Sequence, residues 1–575
     1  MRSAVKLVVG GILRAMQRTP NAEPRRTIAH VGRPTPDPTP DPPPSTSAAG
    51  HRLYSAVGSV ALAFVFGRLL GFLRDILVAR QFGTGFEKAA YDAAFRIPDL
   101  IFLVVMSGAF GSAFVPVFAG FLAQGQPRKA WRLASNVLTL MVEGYAVLAL
   151  VVFLFADPLV RRFVAPGFDT QTQDLAIELT RILLLSPLLL GLGAAAKSVL
   201  EAHDRFTLPA YAPVVYNAAG VFGALVLVPR FGIKGLAWGI VLGSLGHVLV
   251  QFPGLSAVRM RYIIMPRPVA EGVRQVGRLL GPRIIGQAAF QINFTIVLTT
   301  FASQLGTERA AALGYGYQLM QLPHGLLAIS VSTVIFPLMS RLFVNKQFAE
   351  LKLTLGAALR PLFFLTLPAS VALAILARPI VQVLYQRGDF GAESTALVAG
   401  VLPFFAAGLV ALAIVETGAR AFYAMQDTRT PLFASLAAIG VNLILAYLLA
   451  RSFGAPGLAA SMSATTAIEM AALLIVLRRR IGPFEVGVWV ALFKSLLATL
   501  VMAILLLLIR DPLTLATDPA VSSGNALARC ALFGLALFLG LYTYLVAAWY
   551  LRTRELLELT DRFGGRFRRL VRRGR

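Results

Sequence analysis

The stretch GRLLGFLRDILVAR, residues 67–80, sets Arg68, Arg74, Asp75 and Arg80 in an otherwise apolar run. A charged side chain at the centre of a bilayer costs roughly 2.5 to 3.5 kcal/mol even on lenient insertion scales, so each needs a route to water or a function. The chemistry open to these residues is ion pairing and, for a guanidinium, anion binding. Snorkelling accounts for Arg80 and in part for Arg74. Arg68 is harder to explain: with a rise of roughly 1.5 Å per residue, it lies about two-thirds of the way through a span that starts near Leu53. Glu416 and Arg420 are four residues apart, so they share a helix face and read either as a structural pair or as a gating or coupling element.

Further polar residues lie in apolar surroundings. Glu143 and Glu469 are candidate proton-titrating sites, unless they sit at wet helix ends. Gln287, Gln291 and Asn293 read as helix-to-helix hydrogen-bonding groups. His324, beside Pro323, is either a pH switch or a structural histidine. The sequence holds no nucleophile with its base, no phosphate-cradling loop and no paired catalytic carboxylates. No His/Cys group has metal-ligand spacing. The chain is therefore expected not to be an enzyme, with no catalytic residue, metal site or cofactor.

The elements that position these residues are membrane spans. Of 575 residues, 57% are hydrophobic and only 14% charged, against about 25% charged in soluble domains. A net charge of +26 would suggest nucleic acid in a soluble protein. Here the basic residues lie mostly between apolar runs and in the C-terminal segment, which points to anionic lipid head groups and away from nucleic acid. The single cysteine, Cys530, allows no internal disulfide.

Residues 1–50 contain RPTPDPTPDPPPSTSAAG, which is too polar to fold, and show no convincing cleavable signal. At about 20 apolar residues per crossing, spans are expected near 53–79, 95–121, 133–156, 175–197, 210–229, 234–256, 280–304, 313–341, 353–377, 394–421, 431–450, 456–477, 487–509 and 525–550. This gives about fourteen helices. Alternate loops are richer in Lys and Arg, including Arg128, Lys129, Arg259, Arg261, Lys346, Lys352 and Arg478–Arg480, so both termini are expected on the cytoplasmic side. The basic segment 551–575 suits an anionic inner leaflet, with a merely solvated end as the alternative.

An internal duplication is readable. FADPLVRRFVAPGFD, with Pro158 and Gly167, aligns with LARPIVQVLYQRGDF, with Pro379 and Gly388, at an offset of 221. Pro116 and Pro337 share that offset, whereas Pro209 with Pro431, and FGIKGLA with FGAPGLA, are offset by 222. Two six-helix bundles in parallel orientation follow, a plan in which substrate binds between the halves. The expected organisation is a disordered tail at 1–50, a first lobe at 51–257, an amphipathic cytoplasmic linker at 258–279 and a second lobe at 280–480. Two further helices occupy 481–550, followed by the basic tail at 551–575.

GRLLGFLRDILVARQFG, GAFGSAFVPVFAGF, VAPGFD, RFTLPAYAPVVYNAAGV, LYQRGDFGAEST and AFYAMQDTRTP resemble, in order and spacing, the MurJ (MviN) lipid II flippases of the MOP exporter superfamily. The resemblance spans about residues 53–480. It implies an all-α polytopic fold, with two MATE-like six-helix lobes plus two C-terminal helices forming a groove for the lipid tail. It also implies a cationic cavity and an undecaprenyl-pyrophosphate-linked disaccharide-pentapeptide as substrate. On the resemblance, Arg68 and Arg74 lie in the first span and Arg74 faces the cavity, where it either contacts substrate or pairs with Asp75. Asp75 reads as the neutralising partner.

The sequence departs from the family pattern at several positions. Phe102, Leu103 and Ser107 replace an arginine pair and an acid. Ala89 stands where a carboxylate is expected, with Glu87 and Asp92 displaced to either side. Gln318 stands where a cavity arginine is common, leaving Arg96 or Arg420 as substitutes. Substrate contact is therefore assigned to Arg74, Arg68, Asp75, Gln318 and Arg96, and gating or coupling to Glu416 and Arg420. The expected species is a monomer, with cell-wall synthesis proteins as candidate partners. The alternatives are a flippase for another polyprenyl-linked oligosaccharide, a MATE-type antiporter, or a non-transporting protein that recruits partners through its tail.

Overall fold

The structure, a computed structural model, describes residues 46–103, 114–263, 272–274, 276, 288–289, 291–521 and 525–557. Residues 1–45 of the expected tail at 1–50, most of residues 264–287, which take in much of the expected linker at 258–279, and residues 558–575 of the basic segment at 551–575 lie outside the described residues, as do Ser107 and Gln287. The first helix begins at Thr46, inside the stretch expected to be tail.

All regular elements among the described residues are helical. The first half of the chain forms α1 (Thr46–Phe82), α2 (Phe86–Ala94), α3 (Arg96–Ile101), α4 (Val115–Ala123), α5 (Pro127–Leu154), α6 (Thr170–Leu183), α7 (Leu185–Glu201), α8 (Thr207–Phe222) and α9 (Ile233–Leu249). The second forms α10 (Thr307–Pro323), α11 (Ile329–Val344), α12 (Phe348–Ile375), α13 (Ala392–Ala407), α14 (Leu409–Ala424), α15 (Arg429–Phe453) and α16 (Ala455–Ile481), followed by α17 (Val486–Thr517) and α18 (Ala526–Tyr550).

Among the described residues ten helical stretches are long and apolar enough to cross a bilayer, or eleven if α13 and α14, bent by 43°, count as one. The expected spans near 53–79, 95–121 and 280–304 are not in that set. The first is α1 with its embedded charges, and the other two run through 104–113 and 277–287, outside the described residues. The full expected number is thus not reached among the described residues.

The duplication read from prolines recurs in backbone geometry. Helices α5 and α12 both run 28 residues and start 221 positions apart, at Pro127 and Phe348. Gly232, with φ 59° and ψ −148°, precedes α9, and Gly454, with φ 62° and ψ −136°, precedes α16, again 222 positions apart. Both occupy a left-handed conformation that side-chain-bearing residues rarely adopt, so the turn itself requires glycine.

Packing follows from solvent. Ala90 and Ala94 on α2 and Ala311 and Ala312 on α10 are fully buried, and such small side chains let helices approach where lipid offers little hydrophobic drive. Leu508 on α17 and Phe538 on α18 are 72% and 61% exposed, as suits faces turned to acyl chains.

Candidate functional site

Helices α1, α2, α3, α8 and α10 meet around a cavity of about 440 Å³. Its basic lining is Arg74, Lys88 and Arg96, and its acidic lining Asp75, Asp92 and Asp99. Tyr91, Tyr216, Asn217, Tyr315, Tyr317 and Gln318 supply polar and aromatic walls. Among the described residues the formal charges cancel, so this lining is not the strongly cationic one that the resemblance implies.

Each base is held in place. Arg74 donates to Asp75 Oδ1 from Nε at 3.1 Å and from Nη2 at 2.9 Å. Its Nη1 lies 3.5 Å from Asn217 Oδ1, at the outer limit of a hydrogen bond. The Asn217 amide donates to the Gly67 and Pro213 carbonyls at 3.2 and 3.0 Å, which ties α8 to α1. Gln318 Nε2 donates to Asp75 Oδ2. Lys88 pairs with Asp92, one helical turn along α2, and its Nζ lies 4.5 Å from the Tyr315 ring centroid. Arg96 Nε donates to Thr299 Oγ1 at 2.7 Å, and its guanidinium carbon lies 4.7 Å from the Phe294 centroid, within cation–π range.

Of the residues read from sequence, the structure brings Arg74, Asp75, Arg96 and Gln318 to this cavity. Arg68 is not among its lining residues; it lies over the Phe64 ring at 5.9 Å, with Gly325 beside its guanidinium. Asp92 lines the cavity, whereas Ala89 is packed in the apolar core. Glu416 accepts from Arg420 Nε and Nη2 at 3.0 and 2.7 Å, and Arg420 Nη1 donates to Thr333 Oγ1 at 2.6 Å, joining α14 to α11 outside the cavity. Asn293 Oδ1 accepts from Asn442 at 3.1 Å, a bond between helices. Glu469 accepts from Ser435 at 2.5 Å, and Glu143 is exposed.

Sequence reasoning missed Lys88, Asp99, Tyr216 and Asn217. The four-residue ladder Lys88, Asp92, Arg96 was a usable signal, because it places all three along one helical face. Tyr216 and Asn217 lay inside the quoted NAAGV-containing motif without an assigned role.

The AFYAMQDTRTP motif is explained outside the cavity. Asp427 accepts from the Arg429 and Thr430 amides, both at 3.0 Å, and from Thr430 Oγ1 at 2.6 Å, and it pairs with Arg480 Nη1 at 2.6 Å. It thereby satisfies free amides at the start of α15 and links that helix to the end of α16. Desolvation would raise its carboxyl, but the Thr430 side chain and amide, Arg480 and the Arg429 amide together hold it below the ordinary aspartate range.

Two contacts join the first half of the chain to the second near the end of α1. Asp389 donates its amide to the Arg80 carbonyl at 2.9 Å, and the Thr84 and Ser394 hydroxyls lie 2.8 Å apart. Within VAPGFD, the Gly167 amide donates to Ser303 Oγ at 3.0 Å.

A multi-pass helical membrane protein with a charged internal cavity between duplicated halves belongs to the transporter class. The fold matches a solved structure titled "Inward-facing conformation of a multidrug resistance MATE family transporter of the MOP superfamily", at TM-score 0.63 and 16% identity over 74% of this chain and 98% of that one. The match to "Lipid II flippase MurJ, inward closed conformation" has TM-score 0.71 and 25% identity over 87% of this chain and 99% of that one. The family model described as lipid II flippase MurJ matches residues 78–516. The lipid II flippase MurJ of Burkholderia cenocepacia is 31% identical over 461 residues, covering 78% of this chain and 89% of that protein. The probable lipid II flippase MurJ of Buchnera aphidicola subsp. Acyrthosiphon pisum is 30% identical over 458 residues, with the same coverage. The chain belongs to the MurJ family of multi-pass inner-membrane transporters.

Proposed function

We propose that this protein moves lipid II, the undecaprenyl-diphosphate-linked disaccharide-pentapeptide, from the cytoplasmic to the outer leaflet without covalent chemistry. The observation that carries the reading is Arg74, a guanidinium on α1 that lines an internal cavity beside Asn217 and Asp75. A diphosphate presents oxygens matched to the paired donors of a guanidinium, which stays charged in a low dielectric. Membership in the MurJ family supplies the substrate class.

In this reading, residues 51–257 and 280–480 act as two lobes that rock about the cavity, both termini face the cytoplasm, and the segment from residue 551 meets anionic lipid. Arg74, Asp75, Gln318 and Arg96 bind the head group, Arg68 acts from outside the cavity wall, and Glu416 with Arg420 serves gating. Helices α17 and α18 offer their apolar faces to the polyprenyl tail. Gln318, standing in place of an arginine, supports a second reading in which another polyprenyl-diphosphate oligosaccharide is carried.

The test is replacement of the lipid II flippase in bacteria depleted of their own, with lipid II on the outer leaflet as readout. Restored exposure by the wild type and its loss in Arg74→Ala are expected. With insertion verified, absence of restoration by the wild type excludes lipid II as cargo and favours the second reading.

A further inference from the structure

Lys88 is buried, with 6% of its surface exposed, and no other Lys, Arg, Asp or Glu among the described residues is buried to that degree. A charge removed from water is costly even when paired, so such a pair is weak support for stability and calls for another explanation. Its partner Asp92 is more open, with 24% of the side chain exposed, and both line the cavity. The pair therefore stands at the wall of the chamber and not inside the apolar core.

The facing helix is shaped to admit it. A Cβ on Gly314 of α10 would lie 2.7 Å from Asp92 Oδ2 and 3.9 Å from Lys88 Nζ, so glycine there leaves the Asp92 carboxylate its place beside the lysine. Gln318 lies four residues further along α10, about 6 Å by helical rise. The lysine is thus positioned about one helical turn from the amide that replaces a guanidinium.

We propose that Lys88 is a head-group-binding cation for a diphosphate, kept in its empty-cavity position by Asp92 and released from it when phosphate oxygens arrive. This deepens the reading above and rests on it. An ammonium is a compact charge with three rotatable donors, so it can move from carboxylate to phosphate by rotating its flexible stem. The Tyr315 ring under Nζ offers a surface along which the charge stays stabilised during that movement.

The test measures binding of undecaprenyl diphosphate to the purified full-length protein by native mass spectrometry, with neutral undecaprenol as the control for the lipid tail. Lys88→Gln is expected to weaken diphosphate binding about tenfold, the scale of one lost charge-assisted contact. Asp92→Asn is expected to tighten it, because the ammonium loses its competitor. A purely structural pair predicts loss, or no change, in both variants, and either pattern overturns the proposal. If a single variant does not yield monodisperse protein, Lys88→Gln/Asp92→Asn removes both charges together, and unchanged affinity in that double variant overturns it equally. Arg74→Gln separates the two levels of the argument: loss there with none in Lys88→Gln leaves the flippase reading standing and removes this inference. Equal wild-type binding of undecaprenol and undecaprenyl diphosphate removes both.

Discussion

Asp75 is shared by two partners: its Oδ1 lies 2.9 Å from Arg74 Nη2, and its Oδ2 accepts a hydrogen bond from Gln318 Nε2. The carboxylate thus fixes the direction of the arginine while a residue of α10 fixes the carboxylate. This links α1 to α10 across the cavity.

Removing the amide exposes that dependence. Gln318→Leu leaves Asp75 Oδ2 without a donor at a partly buried site, a loss of about 1 to 3 kcal/mol. Its melting temperature in detergent is expected to fall, whereas Gln318→Arg keeps a donor beside Asp75 and is expected to melt no lower than the wild type. A Leu variant that melts with the wild type would contradict the shared-carboxylate arrangement.

The helix start at Asp427 makes a pH-dependent contribution. Its folded carboxyl is held below the ordinary aspartate value, so the stability it adds is fully present above the unfolded value of about 3.9 and is lost as pH falls through the lower folded value. Asp427→Ala is expected to cost about 1 to 2 kcal/mol at neutral pH. The gap between the melting temperatures of wild type and variant should narrow only below the ordinary aspartate range. A gap that is constant across that acidic window would contradict the account.

The Thr84–Ser394 contact tests movement at the seam between the first and second halves of the chain. With Cys530→Ser as background, Thr84→Cys/Ser394→Cys is expected to form a disulfide on oxidation, since the native hydroxyls are 2.8 Å apart. If the seam must open for transport, oxidation stops lipid II exposure and reductant restores it. Full transport by the oxidised protein would show that this seam stays shut throughout the cycle.

Glu416 and Arg420 are partly exposed, so a double-mutant cycle on melting stability is expected to give a coupling of only about 0.2 to 1 kcal/mol. A gating role instead predicts a transport defect far larger than that stability loss in Arg420→Gln, because its contact to Thr333 of α11 is lost as well. Transport reduced only in proportion to folded protein would assign the pair to structure.

The spans and the duplication were legible because hydrocarbon imposes length and apolarity on each crossing, and because Gly232 and Gly454 need a conformation few other residues adopt. Arg74 was legible through the GFLRD segment and the family resemblance that this segment carries. Asn217 was not, since an asparagine in a span reads first as a bond between helices, and it is one here as well, to Gly67. Lys88 lies close to a helix start, where sequence alone reads a solvated charge. Its surroundings include the Tyr315 ring of α10, which is distant in the chain. The balance of three basic and three acidic residues lies wholly within residues 74–99, and it became visible only once the fold showed which charges of that stretch line the cavity.

The central claim is tested most directly by reconstitution. Purified protein would be placed in liposomes carrying lipid II, and the rate at which lipid II from the inner leaflet becomes accessible outside would be measured for wild type and Arg74→Ala. The account predicts exposure far faster than in protein-free liposomes, reduced at least about tenfold by the substitution, as expected for loss of a charge-assisted contact. A wild-type rate equal to that of empty liposomes, or an unchanged rate in correctly inserted Arg74→Ala, would contradict it.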